Sequence, residues 1–186
     1  MKVQYALIFA KESERLPGKH LLEVCGEPML ARIYRILNSC NLFEDVLVYS
    51  KYKDLPLKGL NVMKDVTSGV LIDSILSAID LFGEFLAIGG DMPCINCTLI
   101  SKFLGEYEGV PIAAKDSTGF PQPLFAVYNR TIYENFRKHA LEDRRIYPFL
   151  IENFRLEPLS EKESMMLMSV NRRDDLILAR KCAGCE

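Results

Sequence analysis

Apolar residues along the chain recur at two spacings, and the two alternate. Over 3–9 the run Val-Gln-Tyr-Ala-Leu-Ile-Phe is almost continuously apolar, the pattern of a strand buried on both faces and therefore central in a parallel sheet. From 28 to 40 the positions Met29, Leu30, Ile33, Tyr34, Ile36 and Leu37 fall at helical spacing, with Glu27 and Pro28 at the entry. Strands follow over 45–49 and 60–63. A helix over 70–81 carries Leu71, Ile72, Ile75, Leu76, Ala78 and Ile79 on one face, and Thr67 or Ser68 is placed to cap it. A strand over 85–88 then runs into Gly89-Gly90-Asp91-Met92-Pro93.

The second half continues the alternation. It reads as a helix over 98–107, strands over 110–114 and 122–128, helices over 130–140 and 143–153, a last strand over 165–170, and a closing helix with Asp174 and Asp175 in its first turn. Such alternation predicts a three-layer α/β/α domain, Rossmann-like, with a mostly parallel sheet of about seven strands. In such sheets ligands bind outside the C-terminal strand ends. The loop over 10–19, Asp65 and Asp91 all follow predicted strands, so they converge on one edge.

At 186 residues, with 49% apolar and 26% charged, the chain is sized for one core, and residues 1–186 read as a single domain. A net charge of -2 excludes a broad polyanion-binding surface and leaves room only for a local cationic cluster. No run approaches the length of a membrane span and the first ten residues lack the build of a signal peptide, so no nucleic acid and no membrane is expected as partner, and the location expected is cytoplasmic. Six cysteines in such a setting read as thiols, ligands or small buried apolar groups rather than a disulfide framework. Cys94-Ile95-Asn96-Cys97 and Cys182-Ala183-Gly184-Cys185 have the ligand types of a shared four-thiolate metal site, if the fold brings them together.

The segment 10–30 carries the candidate chemistry. Pro17, Gly18 and Gly26-Glu27-Pro28 bend a stretch that holds Lys11, Arg15 and Lys19, so a turning backbone presents clustered cations, which suits phosphate. Nucleotidyl transfer needs a cation on the triphosphate, basic groups for the departing pyrophosphate and an acceptor in line. Asp91, on its Gly-Gly turn, is the candidate Mg²⁺ ligand, because Mg²⁺ takes one or two carboxylates and completes its shell with phosphate oxygens and water. Arg15 and Lys19 are the candidate phosphate contacts. His20 and His139 read as solvated or incidentally hydrogen-bonded. No His-Glu-x-x-His, Rossmann glycine fingerprint or Gly-Lys-Ser/Thr phosphate loop is present.

Taken in order, Arg15-Leu16-Pro17-Gly18-Lys19, Gly26-Glu27-Pro28-Met29-Leu30, Gly90-Asp91-Met92-Pro93, Gln122-Pro123-Leu124-Phe125-Ala126-Val127-Tyr128 and Val170-Asn171-Arg172-Arg173-Asp174-Asp175-Leu176 resemble the motifs of sugar-nucleotide-type nucleotidyltransferases. Within that superfamily the short chain, the Asp-Met-Pro turn, the Gln-Pro-Leu-Phe strand and the Asn-x-x-x-Asp-Leu ending are most similar to molybdenum cofactor guanylyltransferases. The resemblance implies the nucleotide-diphospho-sugar transferase fold and a Mg²⁺-dependent transfer of GMP from GTP to the phosphate of molybdopterin. It assigns catalytic roles to Arg15, Lys19 and Asp91, and nucleotide contacts to Phe9, Ala10, Lys11, Lys19 and Asp65.

Where that family has a glycine pair, this chain has Lys11-Glu12, and the Arg-Leu-Pro-Gly-Lys core is closer to cytidylyltransferases that activate acidic sugars. A CMP-acidic-sugar transferase is therefore one alternative, and a nucleotide-binding protein without turnover another. Asp73 stands where the guanylyltransferases often have glycine, which adds a carboxylate either to the site or to the surface.

Overall fold

The computed structural model describes residues 2–185. Nine strands and seven α-helices alternate through them: β1 (Tyr5–Ala10), β2 (Glu23–Val24), β3 (Glu27–Pro28), α1 (Met29–Ser39), β4 (Asp45–Ser50), β5 (Val62–Lys64), α2 (Leu71–Phe82), β6 (Phe85–Gly89), α3 (Cys97–Gly105), β7 (Ile112–Lys115), β8 (Pro121–Tyr128), α4 (Tyr133–Glu142), α5 (Ile146–Asn153), β9 (Arg155–Pro158), α6 (Glu161–Met166) and α7 (Asp175–Ala183). Seven strands form one sheet in the order β5-β4-β1-β6-β8-β7-β9, and β2 and β3 form a separate small hairpin. β8 is the antiparallel member, pairing against both β6 and β7, while the remaining pairs are parallel.

Alternation along β1 explains why it lies at the centre. Ala6, Ile8 and Ala10 point into one apolar layer with Leu30 and Ile33 of α1 and Ile100 and Phe103 of α3. Leu7 and Phe9 point into the other, with Ile75 and Ile79 of α2, Phe136 of α4 and Phe149 and Leu150 of α5. Each fully buried aliphatic or aromatic side chain in these layers contributes roughly 1.5–3 kcal/mol. The chain leaves β1 toward β4 and later returns through β6 on the other side of β1. That reversal opens a crevice at the C-terminal ends of β1 and β6, where an α/β sheet holds its ligand.

Several expectations change in the C-terminal third. Residues 165–170 are not a strand: Ser160 and Glu163 make a reciprocal capping box that starts α6, so Met165 and Met166 end a helix. Beyond it Leu167 and Val170 are buried under the first layer, which explains the apolar run without a sheet partner. The seventh strand is instead β9, a polar Arg-Leu-Glu-Pro segment on the sheet edge, where the missing amide of Pro158 is tolerated. The helix expected over 143–153 starts later, at Ile146, because Asp143 folds its carboxylate back onto the Arg145 amide and guanidinium. Helix α2 has Val70 rather than Thr67 or Ser68 at its cap and no side-chain cap bond.

The cysteines also correct the reading as thiols or metal ligands. They form three disulfides, Cys25–Cys185, Cys40–Cys97 and Cys94–Cys182, with Cα atoms 5.5, 5.2 and 5.8 Å apart. Folding brings Cys94 and Cys182 together, but Cys97 and Cys185 turn to Cys40 and Cys25, so no four-thiolate cluster forms. Among the described residues no three His, Cys, Asp or Glu side chains group as a metal site. Two of the three bonds fasten α7 and the residue just beyond its C-terminal cap to the hairpin and to the segment after Asp91. No helix of the described residues is long and apolar enough to cross a membrane.

Candidate active site

The strands of the parallel half deliver their following residues to the crevice through hydrogen bonds that run one step past each strand. The Gly90 amide donates to the Phe9 carbonyl at 2.9 Å, the Lys51 amide to the Ala10 carbonyl at 2.9 Å, and the Asp65 amide to the Ser50 carbonyl at 2.8 Å. Backbone hydrogen bonding therefore fixes the spacing of Lys51, Asp65 and Asp91. A Cβ at Gly90 would lie 3.0 Å from both the Phe9 carbonyl oxygen and the His20 ring, so a larger residue there requires one of them to give way.

Lys19 reaches the same place from the loop. Pro17 and Gly18, the latter at φ 69°, close a turn in which the Lys19 amide donates to the Leu16 carbonyl at 3.1 Å. The Lys19 ammonium is nearly buried and donates to Asp91 Oδ2 at 2.5 Å and to Asn171 Oδ1 at 3.3 Å. Asp91 Oδ1 has no hydrogen-bond partner among the described residues. The Asn171 side chain is aimed by Asp175, whose Oδ2 accepts from the amides of Asn171 and Arg172, both at 2.8 Å. The spacing of the Asn-x-x-x-Asp motif thus has a local cause: the aspartate caps the turn that presents the asparagine. The Val170 amide in turn donates to the Asp91 carbonyl at 2.9 Å, fastening the C-terminal segment to the Gly-Gly-Asp turn.

A second ion pair lies across the pocket. Asp65 is 5% exposed, and its carboxylate accepts from the Thr67 amide at 2.9 Å, from the Thr67 hydroxyl at 2.7 Å and from Lys51 Nζ at 3.2 Å. Burial by itself raises the Asp65 carboxyl, but hydrogen bonds from Ser74, Thr67 and Lys51 outweigh it and hold the group below the usual carboxylate range. Thr67, a cap candidate from sequence, spends its hydroxyl and carbonyl on this network, with Lys51 Nζ donating to the hydroxyl at 2.6 Å and to the carbonyl at 2.5 Å.

His20 is neither solvated nor incidental. It is 2% exposed, its Nδ1 is 2.6 Å from the Tyr52 hydroxyl, and burial pushes its pKa down to about 4, the attraction of Asp91 only partly offsetting this and Lys19 adding to it. A neutral ring is thus wedged between Tyr52 and the Gly90 turn. His139 is at the surface, its Nε2 2.8 Å from the Arg145 carbonyl oxygen.

Of the residues singled out from sequence, Phe9, Ala10, Lys11, Lys19, Asp65 and Asp91 line one pocket of about 220 Å³. Arg15 does not. It is exposed and lines a separate, wider cleft with Leu16, Asn171, Arg172 and Arg173. Asp73 pairs with Arg144 and does not line the pocket. Sequence reading missed Lys51, Ser74, Leu71 and Leu124 on the pocket wall. Lys51 was findable, because it lies two residues past the strand expected over 45–49, as Asp65 lies two past the strand expected over 60–63; Leu124 was not, because only the antiparallel placement of β8 brings it there.

The pocket thus sets cations and carboxylates in two pairs at the strand-order reversal, an arrangement that can receive an anionic nucleotide. Comparison with known proteins agrees. Residues 9–157 match the model of the MobA-like NTP transferase domain. A probable molybdenum cofactor guanylyltransferase of Pyrococcus horikoshii is 29% identical, over 95% of this chain and 98% of that protein. Among solved structures, molybdopterin-guanine dinucleotide biosynthesis protein A of Archaeoglobus fulgidus superposes with a TM-score of 0.72 at 19% identity, covering 97% of this chain and 100% of that one. A CMP-2-keto-3-deoxy-manno-octonic acid synthetase complexed with CTP superposes with a TM-score of 0.71 at 14% identity, covering 97% and 98%. These two structures show that the fold is shared.

Proposed function

This chain belongs to the family of MobA-like NTP transferase domains, and we propose that as a nucleotidyltransferase it moves GMP from GTP to the terminal phosphate of molybdopterin, releasing pyrophosphate. An oxygen of the acceptor phosphate attacks the α-phosphorus, the bond from that phosphorus to the α–β bridging oxygen breaks, and its electron pair leaves with pyrophosphate. The products are a phosphoanhydride and pyrophosphate, and no redox partner is needed.

The observation that carries this reading is the contact series Asn171, Lys19, Asp91, which ties three distant motifs together at the crevice. Asp91, whose Oδ1 has no partner among the described residues, would hold a Mg²⁺ ion, which would supply neutralisation of the triphosphate charge. Lys19 fixes the Asp91 carboxylate and presents its ammonium to the departing phosphates. Asp65, ionised and oriented by Thr67 and Lys51, accepts hydrogen bonds from the nucleotide on the opposite wall, and the ends of β1 at Phe9, Ala10 and Lys11 form the floor between them. We infer a cytoplasmic location from a GTP-dependent reaction; three disulfides are a feature that intracellular proteins keep chiefly in hyperthermophiles.

Titration of the protein with GTP, CTP, ATP and UTP, each with Mg²⁺, tests the base, since a bound ligand stabilises the fold according to its occupancy. GTP gives the largest rise in melting temperature, and label from α-phosphate-labelled GTP appears in the molybdopterin product. The second reading, a cytidylyltransferase for an acidic sugar, is favoured by the Arg15-Leu16-Pro17-Gly18-Lys19 loop. A larger response to CTP than to GTP replaces the first reading with the second.

A further inference from the structure

Most side-chain donors on the pocket wall are already engaged. Lys19 donates to Asp91 and Asn171, Lys51 to Asp65 and Thr67, and the Tyr49 hydroxyl to Ser77 at 2.9 Å. Ser74 bonds within the network of Asp65 and Thr67. Lys11 is exposed. The remaining donor is the ring of His20, which lines the pocket although the residue is only 2% exposed. Its Nε2 makes no hydrogen bond among the described residues. Among those residues no side-chain nitrogen or oxygen sealed from solvent is left unbonded. Nε2 therefore keeps an opening, and it lies beside the Gly90 turn, where a Cβ would come within 3.1 Å of it.

The tautomer of the ring follows from what holds its other nitrogen. Nδ1 is 2.6 Å from the Tyr52 hydroxyl, which makes no other hydrogen bond among the described residues. Burial, with the nearby Glu12 charge, pushes the Tyr52 pKa up to about 12, so the phenol keeps its proton. A phenol donates more readily than it accepts, and the unprotonated ring nitrogen is the acceptor in reach, so Tyr52 donates to Nδ1. A neutral imidazole then carries its own proton on Nε2. Tyr52 is itself held: its amide donates to the buried Ser50 hydroxyl at 3.0 Å, and its ring meets the imidazole at 86° with centroids 5.4 Å apart.

We propose that His20 is a substrate contact whose Nε2–H donates to a phosphoryl oxygen of the bound nucleoside triphosphate, and that Tyr52 is the positioning residue that fixes this tautomer. The assignment rests on the nucleotidyl-transfer reading, which brings the triphosphate to Asp91. At that end of the pocket the Lys19 charge is matched by Asp91. A neutral N–H adds a donor for the phosphate there without adding a charge that competes with a metal ion for the Asp91 carboxylate.

The test uses the full chain. Long-range ¹H–¹⁵N correlation of the two imidazoles, with His139→Gln to assign them, reads the tautomer directly. His20 in the parent carries its proton on Nε2, and a proton on Nδ1 overturns the proposal without any substitution in the pocket. Calorimetry then compares GTP and inorganic tripolyphosphate, each with Mg²⁺. His20→Asn, whose amide stands in for Nδ1 and leaves no donor at Nε2, loses about tenfold in affinity for both ligands. His20→Gln, whose amide nitrogen falls near Nε2, recovers part of the loss. Tyr52 does not line the pocket, and Tyr52→Phe keeps the ring packed but divides it between tautomers; affinity for both ligands falls about twofold as the ring spectrum changes. That variant carries the test even if His20→Asn fails to fold. A His20→Asn protein equal to the parent in both affinities and in transfer removes His20 and leaves the transferase reading standing. A loss for GTP alone moves His20 to the nucleoside and overturns the phosphate contact. If the parent binds tripolyphosphate through His20 but no nucleoside triphosphate, the transferase reading fails and the phosphate donor stands. A parent that binds neither ligand ends both.

Discussion

Lys19 and Asp91 are 72 residues apart in sequence, and their side chains meet at 2.5 Å where the crevice opens between β1 and β6. Both are largely buried, with 9% and 17% of the side chain exposed, so the pair is held in place rather than exchanged with water. Replacing Asp91 by Asn keeps the shape and the bond to Lys19 but removes the charge proposed to hold Mg²⁺. Transfer falls about 10²–10³-fold and its dependence on Mg²⁺ disappears, with folding intact by circular dichroism. Lys19→Ala loses affinity for GTP and rate together. A Lys19→Ala protein equal to the parent in both measurements removes the pair from the mechanism.

Lys51 and Asp65 form a pair whose worth depends on both members. Lys51→Met leaves a carboxylate that is 2% exposed at its side chain with only neutral donors, and costs about 2–4 kcal/mol in chemical denaturation. Adding Asp65→Asn to that variant restores part of the loss, because a neutral amide tolerates the site. If the double variant is less stable than Lys51→Met alone, the pair contributes net stability and the asymmetry expected of buried ions is absent.

His20 makes stability depend on pH in a defined window. Its folded pKa, about 4, lies below the 6.5 of a free histidine, so between the two the unfolded chain binds a proton that the folded chain refuses. Stability is therefore full above that upper value and declines as pH falls toward the lower one. Urea unfolding at pH 7 and pH 5 should differ by roughly 2 kcal/mol from this group. Asp65, with its depressed pKa, loses its own contribution only at lower pH. In His20→Gln the difference between pH 7 and pH 5 shrinks by about that amount, and an unchanged difference assigns the pH dependence elsewhere.

The disulfides are expected to hold α7, and with it Asn171, against the site. Titration of thiols in the unfolded, unreduced protein detects none in the described pairs, and each bond removed by Cys→Ala costs roughly 2–4 kcal/mol. Cys182→Ala, which frees α7 from the segment after Asp91, also weakens nucleotide binding. Cys40→Ala joins α1 and α3 less firmly but leaves nucleotide binding unchanged, since neither helix supplies a residue to the pocket.

Much of the fold could be read from local patterns because those patterns are themselves the cause of the local structure. The continuous apolar run ending at Ala10 can be satisfied only between two other strands, and it lies between β4 and β6. The place of Asp91 on the crevice was legible for the same reason: two glycines after a buried strand leave the next side chain at the sheet's C-terminal edge. Where the pattern misled, a short-range bond outcompeted it. The apolar residues 165–170 look like a strand until the Ser160–Glu163 capping box fixes a helix before them.

What tertiary structure alone decided are the pairings. Nothing local to Cys94 or Cys97 says that one joins Cys182 and the other Cys40. Nothing local to Arg15 separates it from Lys19, four residues on, yet the turn at Gly18 sends Lys19 inward to Asp91 and leaves Arg15 beside Arg172 and Arg173. Sequence determines which residues can be buried, turned or charged, because those are properties of a few neighbouring side chains. Which charge finds which partner is set by the packing of the sheet and of α7, and that depends on the whole chain at once.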